Sequence, residues 1–214
     1  MHALKWTLLL GLCASLLACM GGNRTEIREY VLTALPQAPD VASPPPGSAP
    51  GAGPVVCVGP ISLPGYLRRP QIVTREASNR IHASATSRWG EELGAGFARV
   101  LALNLSTLVP TDRIAAFPWP VRGTPDYSVA IEVERFEREP DGKVVLEARW
   151  ILSDRLNDTV SVRRASLRER VDGDGFTTTV DAMSRSIGSL SRTIADAIRL
   201  HAAGQPVGEL SEAY

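Results

Sequence analysis

The sequence predicts an α/β fold in which a mixed, mostly antiparallel sheet carries two main amphipathic helices. Two long segments repeat apolar residues at helical spacing, and three consecutive segments alternate apolar and polar residues between turn signals. Sequential strands joined by tight turns pair as an antiparallel meander. We therefore expect one α/β domain over residues 55–204, which is long enough to bury a substantial core.

The chain begins with a segment typical of a bacterial secretory signal. Lys5 precedes an apolar run of about ten residues, which is too short for a membrane span of ~20 residues. The run ends in Leu16-Leu17-Ala18-Cys19, which matches the lipobox cut by the lipoprotein signal peptidase. We expect cleavage of residues 1–18 and attachment of a diacylglyceryl thioether and an N-acyl chain, such as palmitate, to Cys19. An ordinary secretory signal is the alternative.

The residue after Cys19 bears on the final membrane. An Asp there retains enterobacterial lipoproteins in the inner membrane, whereas this chain has Met20. We therefore expect an outer-membrane lipoprotein that faces the periplasm. Several acyl chains hold a protein stably, because each buried methylene contributes ~0.8 kcal/mol.

Charge and cysteine content narrow the possible partners. Once Lys5 leaves with the leader, 22 basic and 23 acidic side chains remain. A nearly neutral chain lacks the basic stripe that nucleic acid requires and the basic patch that anionic lipid attracts. Cys57 would be the single cysteine left beside Cys19, so no internal disulfide is expected. Its apolar neighbours predict a small buried side chain.

Composition divides the region before the domain into three pieces. Residues 19–28 are polar and form a tether, and residues 29–35 read as a first strand. Residues 36–54 contain seven prolines and predict an extended linker or loop insert rather than packed structure. This insert is either a variable loop or a spacer for docking. Residues 205–214 form a flexible tail.

The elements of the domain follow in order. Short strands are expected at 55–58, 71–75, 80–83 and 113–119, the first of them ended by Gly59-Pro60. The apolar stripes predict helices over 91–109, with Glu91 and Glu92 in its first turn, and over 178–200, with Thr178 and Asp181 as a capping box. The meander lies between them, with turns at Pro140-Asp141-Gly142 and Asn157-Asp158.

Motifs for chemistry are absent from the sequence. His82 and His201 have no partner at zinc-site spacing, and no nucleophile elbow or phosphate loop occurs. The run Asp172-Gly173-Asp174-Gly175 resembles the start of a calcium loop, but Phe176 and Thr177 stand where that motif needs an oxygen ligand and glycine. We predict a turn there, no metal, no cofactor and no catalytic residues.

Several ordered motifs resemble the PqiC/YmbA family of ABC-type transport auxiliary lipoproteins. They are Leu63-Pro64-x-Tyr66-Leu67-x-Arg69-Pro70-Gln71-Ile72-Val73-Thr74-Arg75, Arg88-Trp89-Gly90-Glu91-x-Leu93, Arg99-Val100-Leu101-Ala102-x-Asn104-Leu105 and Phe117-Pro118-Trp119. The resemblance implies a three-layer α/β body without enzymatic activity. It also implies a role in moving lipids between the inner and outer membranes, beside an MCE-domain protein and inner-membrane permease components. Some members form rings, so a homo-oligomer is possible.

The first of these motifs is the candidate partner-binding site. A proline-punctuated segment is stiff before binding, and Tyr and Arg are favoured interface anchors. Its candidate contact residues are Leu63, Pro64, Tyr66, Leu67, Arg69, Pro70 and Gln71. The alternative is that the segment only connects two strands with Tyr66 buried. Trp89 and Trp119 are expected to be core or helix-packing residues rather than lipid contacts.

The alternative function is a structural lipoprotein that supports envelope assembly without a transport role. A periplasmic enzyme is the third hypothesis, and it requires a pocket lined with perturbed carboxylates or histidine.

Overall fold

The structure, a computed structural model, describes residues 26–36, 53–109, 111–119, 124–155 and 159–205. The predicted signal sequence, Cys19, most of the tether, nearly all of the proline-rich insert and the tail after residue 205 lie outside these ranges. The predictions for those segments stay predictions.

Eight strands and two α-helices make up the described part of the chain. The strands are β1 Arg28–Tyr30, β2 Val56–Ser62, β3 Gln71–Ala77, β4 Arg80–Trp89, β5 Ile114–Ala116, β6 Tyr127–Arg138, β7 Lys143–Asp154 and β8 Thr159–Arg170. The helices are α1 Leu93–Leu108 and α2 Phe176–Ala202, and a 3₁₀ turn covers Gly65–Leu67.

The predicted meander is confirmed: β6, β7 and β8 pair antiparallel along nearly their whole length. Two different strands then share the other edge of β6. Strand β2 pairs in parallel with its first half, and β3 pairs in parallel at its end through Thr74 and Arg138. Strand β4 is antiparallel to β3, while the short strands β5 and β1 add in parallel to β2 and β4. The chain between β2 and β3 must therefore cross a gap beside the middle of β6.

The predicted α/β class, with a mixed sheet and two helices, is confirmed. Alternate residues of β6 and β7 join one apolar cluster with the inner stripes of both helices, and Phe97 of α1 meets Phe136 of β6 edge to face at 5.6 Å. Both helices thus cover the same face of the sheet.

Two strands differ from their predicted bounds. Strand β2 does not end at Gly59-Pro60 but continues to Ser62 across a register shift, with Gly59 at a φ of 105°. This glycine also lacks a Cβ where one would lie 2.7 Å from the Cβ of Phe117. Strand β4 extends to Trp89, well beyond Ala83, because backbone pairing with β3 and β1 holds a stretch of Ser, Thr and Ala that carries little apolar signal.

The helix starts also differ from prediction. Helix α1 begins at Leu93, so Glu92 is its N-cap residue, and Glu91 lies before the helix. Helix α2 begins at Phe176 after Gly175, so Thr178 lies in its first turn and donates its hydroxyl hydrogen bond to the Gly175 carbonyl. The predicted capping box of Thr178 and Asp181 is therefore wrong. Cys57 is buried, as predicted, with 2% of its surface exposed.

The N-terminal segment, residues 26–36, is fastened across both helices by polar contacts. Its backbone N–H groups at Thr33 and Leu35 donate to the Ser184 hydroxyl at 3.1 Å and to the Asn104 Oδ1 at 2.8 Å. The Asn104 amide donates in turn to the Ser191 hydroxyl at 3.0 Å. Leu32 lies in the core between these contacts. A part of the chain with only three residues in the sheet is thus held mainly by side chains of α1 and α2.

We expect Asn104→Ala to lower the free energy of unfolding by about 1–3 kcal/mol, since it removes the acceptor of the half-buried Leu35 N–H and the donor to the buried Ser191 hydroxyl, which keeps only its bond to the Ile187 carbonyl. The matched control is Ser106→Ala on the same helix, whose exposed hydroxyl bonds only the Leu103 carbonyl. It should change stability by less than about 0.5 kcal/mol. Urea denaturation of both variants checks the difference, and equal losses would contradict this role of Asn104.

Candidate partner-binding site

The segment predicted to bind a partner joins the end of β2 to the start of β3 and is divided between the core and the surface. Leu63 and Leu67 are buried and belong to the apolar core. Arg69 and Pro70 are exposed, and Pro64, Tyr66 and Gln71 are half-buried. The structure therefore places the two leucines as internal anchors and leaves the arginine side of the segment open to solvent.

Backbone hydrogen bonds fix the shape of this segment. The 3₁₀ turn is closed by bonds from Leu67 N to Pro64 O at 3.0 Å and from Arg68 N to Gly65 O at 3.3 Å. At the end of the segment, the Pro70 carbonyl accepts a bond of 2.7 Å from Trp89 N in β4. Proline fixes φ at its own positions as well. The exposed residues thus sit on a backbone that is ordered before any partner arrives.

A buried carboxylate of β6 holds the middle of the segment. Glu137 is fully buried, and its Oε2 accepts a hydrogen bond of 2.7 Å from the Tyr66 hydroxyl. Its Oε1 lies 2.7 Å from the guanidinium of Arg75 in β3 and 3.3 Å from that of Arg135. The Phe136 backbone N–H donates a further bond at 3.0 Å. Glu137 thus joins the 3₁₀ turn, β3 and β6 at the gap beside β6.

Further charges extend this arrangement over the sheet face that the helices leave open. Arg135 also pairs with Glu139 and, at 3.5 Å, with Glu147. Glu139 accepts from Arg168 of β8 at 3.1 Å. The hydrogen bond from Arg135 is the main cause that lowers the pKa of Glu139, against the effect of burial. The resulting network of Arg and Glu crosses from β3 to β8.

Sequence reasoning missed Glu137. The alternation of apolar and polar residues that begins at Tyr127 is regular only as far as Glu134, because a register shift between Val133 and Arg135 breaks it, and it therefore does not show which face Glu137 occupies. Tyr66 and Arg75 are both in the motif quoted above, but nothing in their spacing shows that they converge on one carboxylate. The available signal was that a tyrosine hydroxyl inside a protein usually has a hydrogen-bond partner, which Tyr66 would have to find in the folded chain.

The motif Arg88-Trp89-Gly90-Glu91 positions the N-terminal segment. Gly90 N donates to the Tyr30 carbonyl at 2.8 Å, and Glu91 pairs with Arg99 of α1 at 2.5 Å. Arg99 then donates to the Leu32 carbonyl at 3.0 Å. Trp89 is in the core, as predicted.

The motif Phe117-Pro118-Trp119 forms an exposed aromatic pair at the β5 edge. The two rings meet edge to face at 5.9 Å, with 54% of Phe117 and 37% of Trp119 exposed. Both residues are held by the Val58 carbonyl, which accepts from Phe117 N at 2.8 Å and from the Trp119 indole at 3.2 Å. The expectation that Trp119 lies in the core is wrong.

The remaining candidates for chemistry are separated from one another. His82 is exposed and lies 3.7 Å from Glu76, whereas His201 is nearly buried, 3.8 Å from Asp154 and 3.3 Å from the Ser161 hydroxyl. Residues 172–175 form a turn before α2. Within the ranges that the structure covers, no group of three or more His, Cys, Asp or Glu residues could hold a metal ion. Neither helix of the described chain has the length and apolarity to cross a membrane.

We expect Glu137→Gln to lower the free energy of unfolding by about 3–5 kcal/mol, because it leaves two guanidinium groups facing a neutral amide in a buried site. The matched control is Glu132→Gln on the same strand, where the carboxylate is 58% exposed and pairs with Arg149 at the surface. That change should cost less than about 1 kcal/mol. Chemical denaturation measures both, and a small loss at Glu137 would refute its structural role.

The Tyr66 hydroxyl gives a second test through pH. Burial, followed by the hydrogen bond to Glu137, raises the pKa of Tyr66 above its ordinary value. Its contribution to stability is therefore fully present below pH ~10 and is lost as the pH rises, since the unfolded tyrosine ionises first. We expect the difference in free energy of unfolding between the native chain and Tyr66→Phe to shrink between pH 10 and 11.5. Chemical denaturation at each pH measures it, and a constant difference would contradict the hydrogen bond from Tyr66 to Glu137.

Comparison with solved structures shows the same fold at low sequence identity. A crystal structure of an uncharacterized protein has a TM-score of 0.65 and 19% identity, and the match covers 81% of this chain and 99% of that one. A Xanthomonas campestris protein of family DUF330 has a TM-score of 0.61 and 14% identity, and the match covers 84% of this chain and 96% of that one. The PelC dodecamer from Paraburkholderia phytofirmans has a TM-score of 0.39 and 14% identity, with 77% of this chain and 95% of that one covered, which is too low a similarity to bear on assembly.

Comparison at the level of sequence identifies the family. No curated protein sequence matches the chain. A family model described as the ABC-type transport auxiliary lipoprotein component matches residues 30–195. The match runs from β1 to the last part of α2 and so includes the candidate site and the polar contacts of the N-terminal segment. The chain therefore belongs to the family of ABC-type transport auxiliary lipoprotein components.

Proposed function

We propose that this chain is a non-catalytic auxiliary subunit of an MCE/ABC-type system that moves lipid between the inner and outer membranes. The observation that carries the proposal is the family match over residues 30–195, together with the Leu16–Cys19 lipobox immediately upstream. In this proposal Cys19 is acylated and holds the domain at the outer membrane on the periplasmic side. The partners are an MCE-domain protein and inner-membrane permease components.

The arrangement of the candidate site supports a docking role. Its exposed residues sit on a segment that is closed by a 3₁₀ turn, hydrogen-bonded to β4 at Pro70 and tied to Glu137 through Tyr66. An ordered backbone lowers the entropy lost on association, and Arg69 beside Pro70 offers a charged, stiff contact. The partner-facing residues in this proposal are Arg69, Pro70, Gln71, Pro64 and the exposed part of Tyr66, while Leu63 and Leu67 hold the segment in place.

Lipid attachment is tested on the protein purified from membranes of its native host. We expect mass spectrometry of the N-terminal peptide to show Cys19 carrying acyl chains. We expect Cys19→Ser, placed behind a secretory signal that the ordinary signal peptidase removes, to leave the chain in the soluble fraction. The control is Cys57→Ser, which alters a buried thiol and should leave fractionation unchanged. A native product with an unmodified Cys19 thiol would overturn the anchored role.

Partner binding is tested by site-specific photo-crosslinking in intact cells. We expect a photoreactive residue at Arg69 to crosslink to an MCE-domain protein, and the same residue at exposed Arg192 on α2 to give at least fivefold less of that product. Recovery from Arg69 of outer-membrane or peptidoglycan assembly proteins instead would favour the structural lipoprotein. Crosslinking of the MCE protein equally from both positions would remove Arg69 from the interface.

A further inference from the structure

The N-terminal chain leaves the body toward one end of the sheet. Strand β1 is parallel to β4, which starts at the β3–β4 turn and runs away from it, so the beginning of β1 points back toward that turn. The ring of Tyr30 lies 6.3 Å from the ring of Phe176, the first residue of α2. The start of the described chain at Glu26 is therefore on the same side of the molecule as the N-terminus of α2.

Three turns form this end of the molecule, here named the proximal pole. They are residues 78–79 between β3 and β4, residues 139–142 between β6 and β7, and residues 171–175 between β8 and α2. Two contacts join the end of β6 and its turn to the β8–α2 turn: Val171 N donates to the Gly142 carbonyl at 3.0 Å, and Arg138 pairs with Asp174 at 3.3 Å. The opposite end, the distal pole, contains the start of β6, the end of β7 and Arg155, whose N–H donates to the Asp126 carbonyl.

The length of chain between Cys19 and Glu26 decides which pole can approach a bilayer that holds Cys19. Seven residue steps span at most about 25 Å when fully extended, and a flexible chain of that length averages ~15 Å. Pairing through β4 and β3 brings Glu26 about level with Phe136, near the end of β6. The start of β6 at the distal pole lies roughly 30 Å away along the strand at ~3.3 Å per residue, beyond the reach of the extended tether.

Ion pairs join most of the charges at the proximal pole. Glu76 pairs with Arg80 at 2.8 Å, Asp141 with Lys143 at 3.4 Å, Asp174 with Arg138 at 3.3 Å and Asp172 with Arg185 at 3.8 Å. A cleft of about 370 Å³ beside Arg138, Asp174 and Thr179 opens on the same side. Such a surface carries no excess of positive charge, so anionic lipid would not attract it strongly. The balanced charge of this surface suits a layer of lipid headgroups that is itself neutral overall, and the tether would hold the surface against that layer.

We propose that the proximal pole faces the lipid headgroups of the membrane that holds Cys19, and that the distal pole points away from that membrane. The inference rests on the lipidation of Cys19 in the proposed function. It adds an orientation, which neither the family nor the lipobox supplies. The exposed aromatic pair at Phe117 and Trp119 follows β5, whose register places it beside the first half of β6, and so lies farther from the bilayer than the pole turns.

The orientation is tested with the lipidated protein in phosphatidylcholine vesicles that contain a headgroup-labelled nitroxide lipid as quencher. One fluorophore is attached at Asn79→Cys in the β3–β4 turn and, in a separate sample, at Arg155→Cys on the distal pole. Both positions are exposed turns, and Cys57 is buried and does not compete for the label. We expect quenching at position 79 to be at least twice that at position 155. Equal quenching at the two positions, or stronger quenching at position 155, in protein with acylated Cys19 would overturn the orientation and leave the proposed function standing.

Two control experiments distinguish tethering through acylated Cys19 from other causes of quenching. The quenching ratio should be unchanged with anionic lipid added or in 0.5 M salt, and a ratio that appears only with anionic lipid at low salt would show electrostatic adsorption and refute the tether argument. The same labels on Cys19→Ser, made with a secretory signal that the ordinary signal peptidase removes, should lose quenching at both positions, and retained quenching would also refute the tether argument. If mass spectrometry finds Cys19 unmodified in the native protein, both the proposed function and this orientation fall.

Discussion

The buried carboxylate of Glu137 is the interaction on which the arrangement of the sheet most depends. Strands β2 and β3 share one edge of β6, so the chain between them has to pass beside β6 without a continuous ladder of backbone bonds. Glu137 fills that interval with bonds to Tyr66, Arg75 and Arg135. Because a buried ion needs several partners to offset its desolvation, the three side chains are constrained together. The result is a fixed turn where the backbone alone would leave a gap.

The N-terminal segment is held in the same way, because polar side chains bond the backbone groups that no strand pairs with. Only three of its residues pair in the sheet, and Asn104, Ser184 and Arg99 satisfy the backbone groups that follow. Asn104 and Ser184 lie on the buried faces of their helices, and each of them looks like an interruption of the apolar stripe when read along the sequence. Their partners explain why polar residues are tolerated at buried helix positions.

The sequence could predict those elements whose pattern of apolar residues lies within the element itself, and it could not predict features that depend on contacts with distant parts of the chain. The stripe of α2 and the alternation in β6 and β7 arise from burial on one face, so the existence of these elements followed from their own residues. The extension of β4 to Trp89 did not, since pairing with β1 and β3 supplies what its small polar residues lack. The family motifs located the candidate site, yet its division into buried Leu63 and Leu67 and exposed Arg69 depends on contacts that are distant in sequence. Glu137 is distant from Tyr66 by 71 positions and could not be paired with it from spacing.

The direction in which β1 enters the sheet has a mechanical consequence. Its hydrogen bonds to β4 run across the strand, whereas a pull on the upstream chain acts along the strand axis. Such a load would shear the bonds of Arg28, Glu29 and Tyr30 together, and it would also work against the burial of Leu32. Strands loaded in this way resist extension better than strands that are peeled apart one bond at a time. A short three-residue pairing can therefore secure the end of the chain that an acylated Cys19 would put under tension.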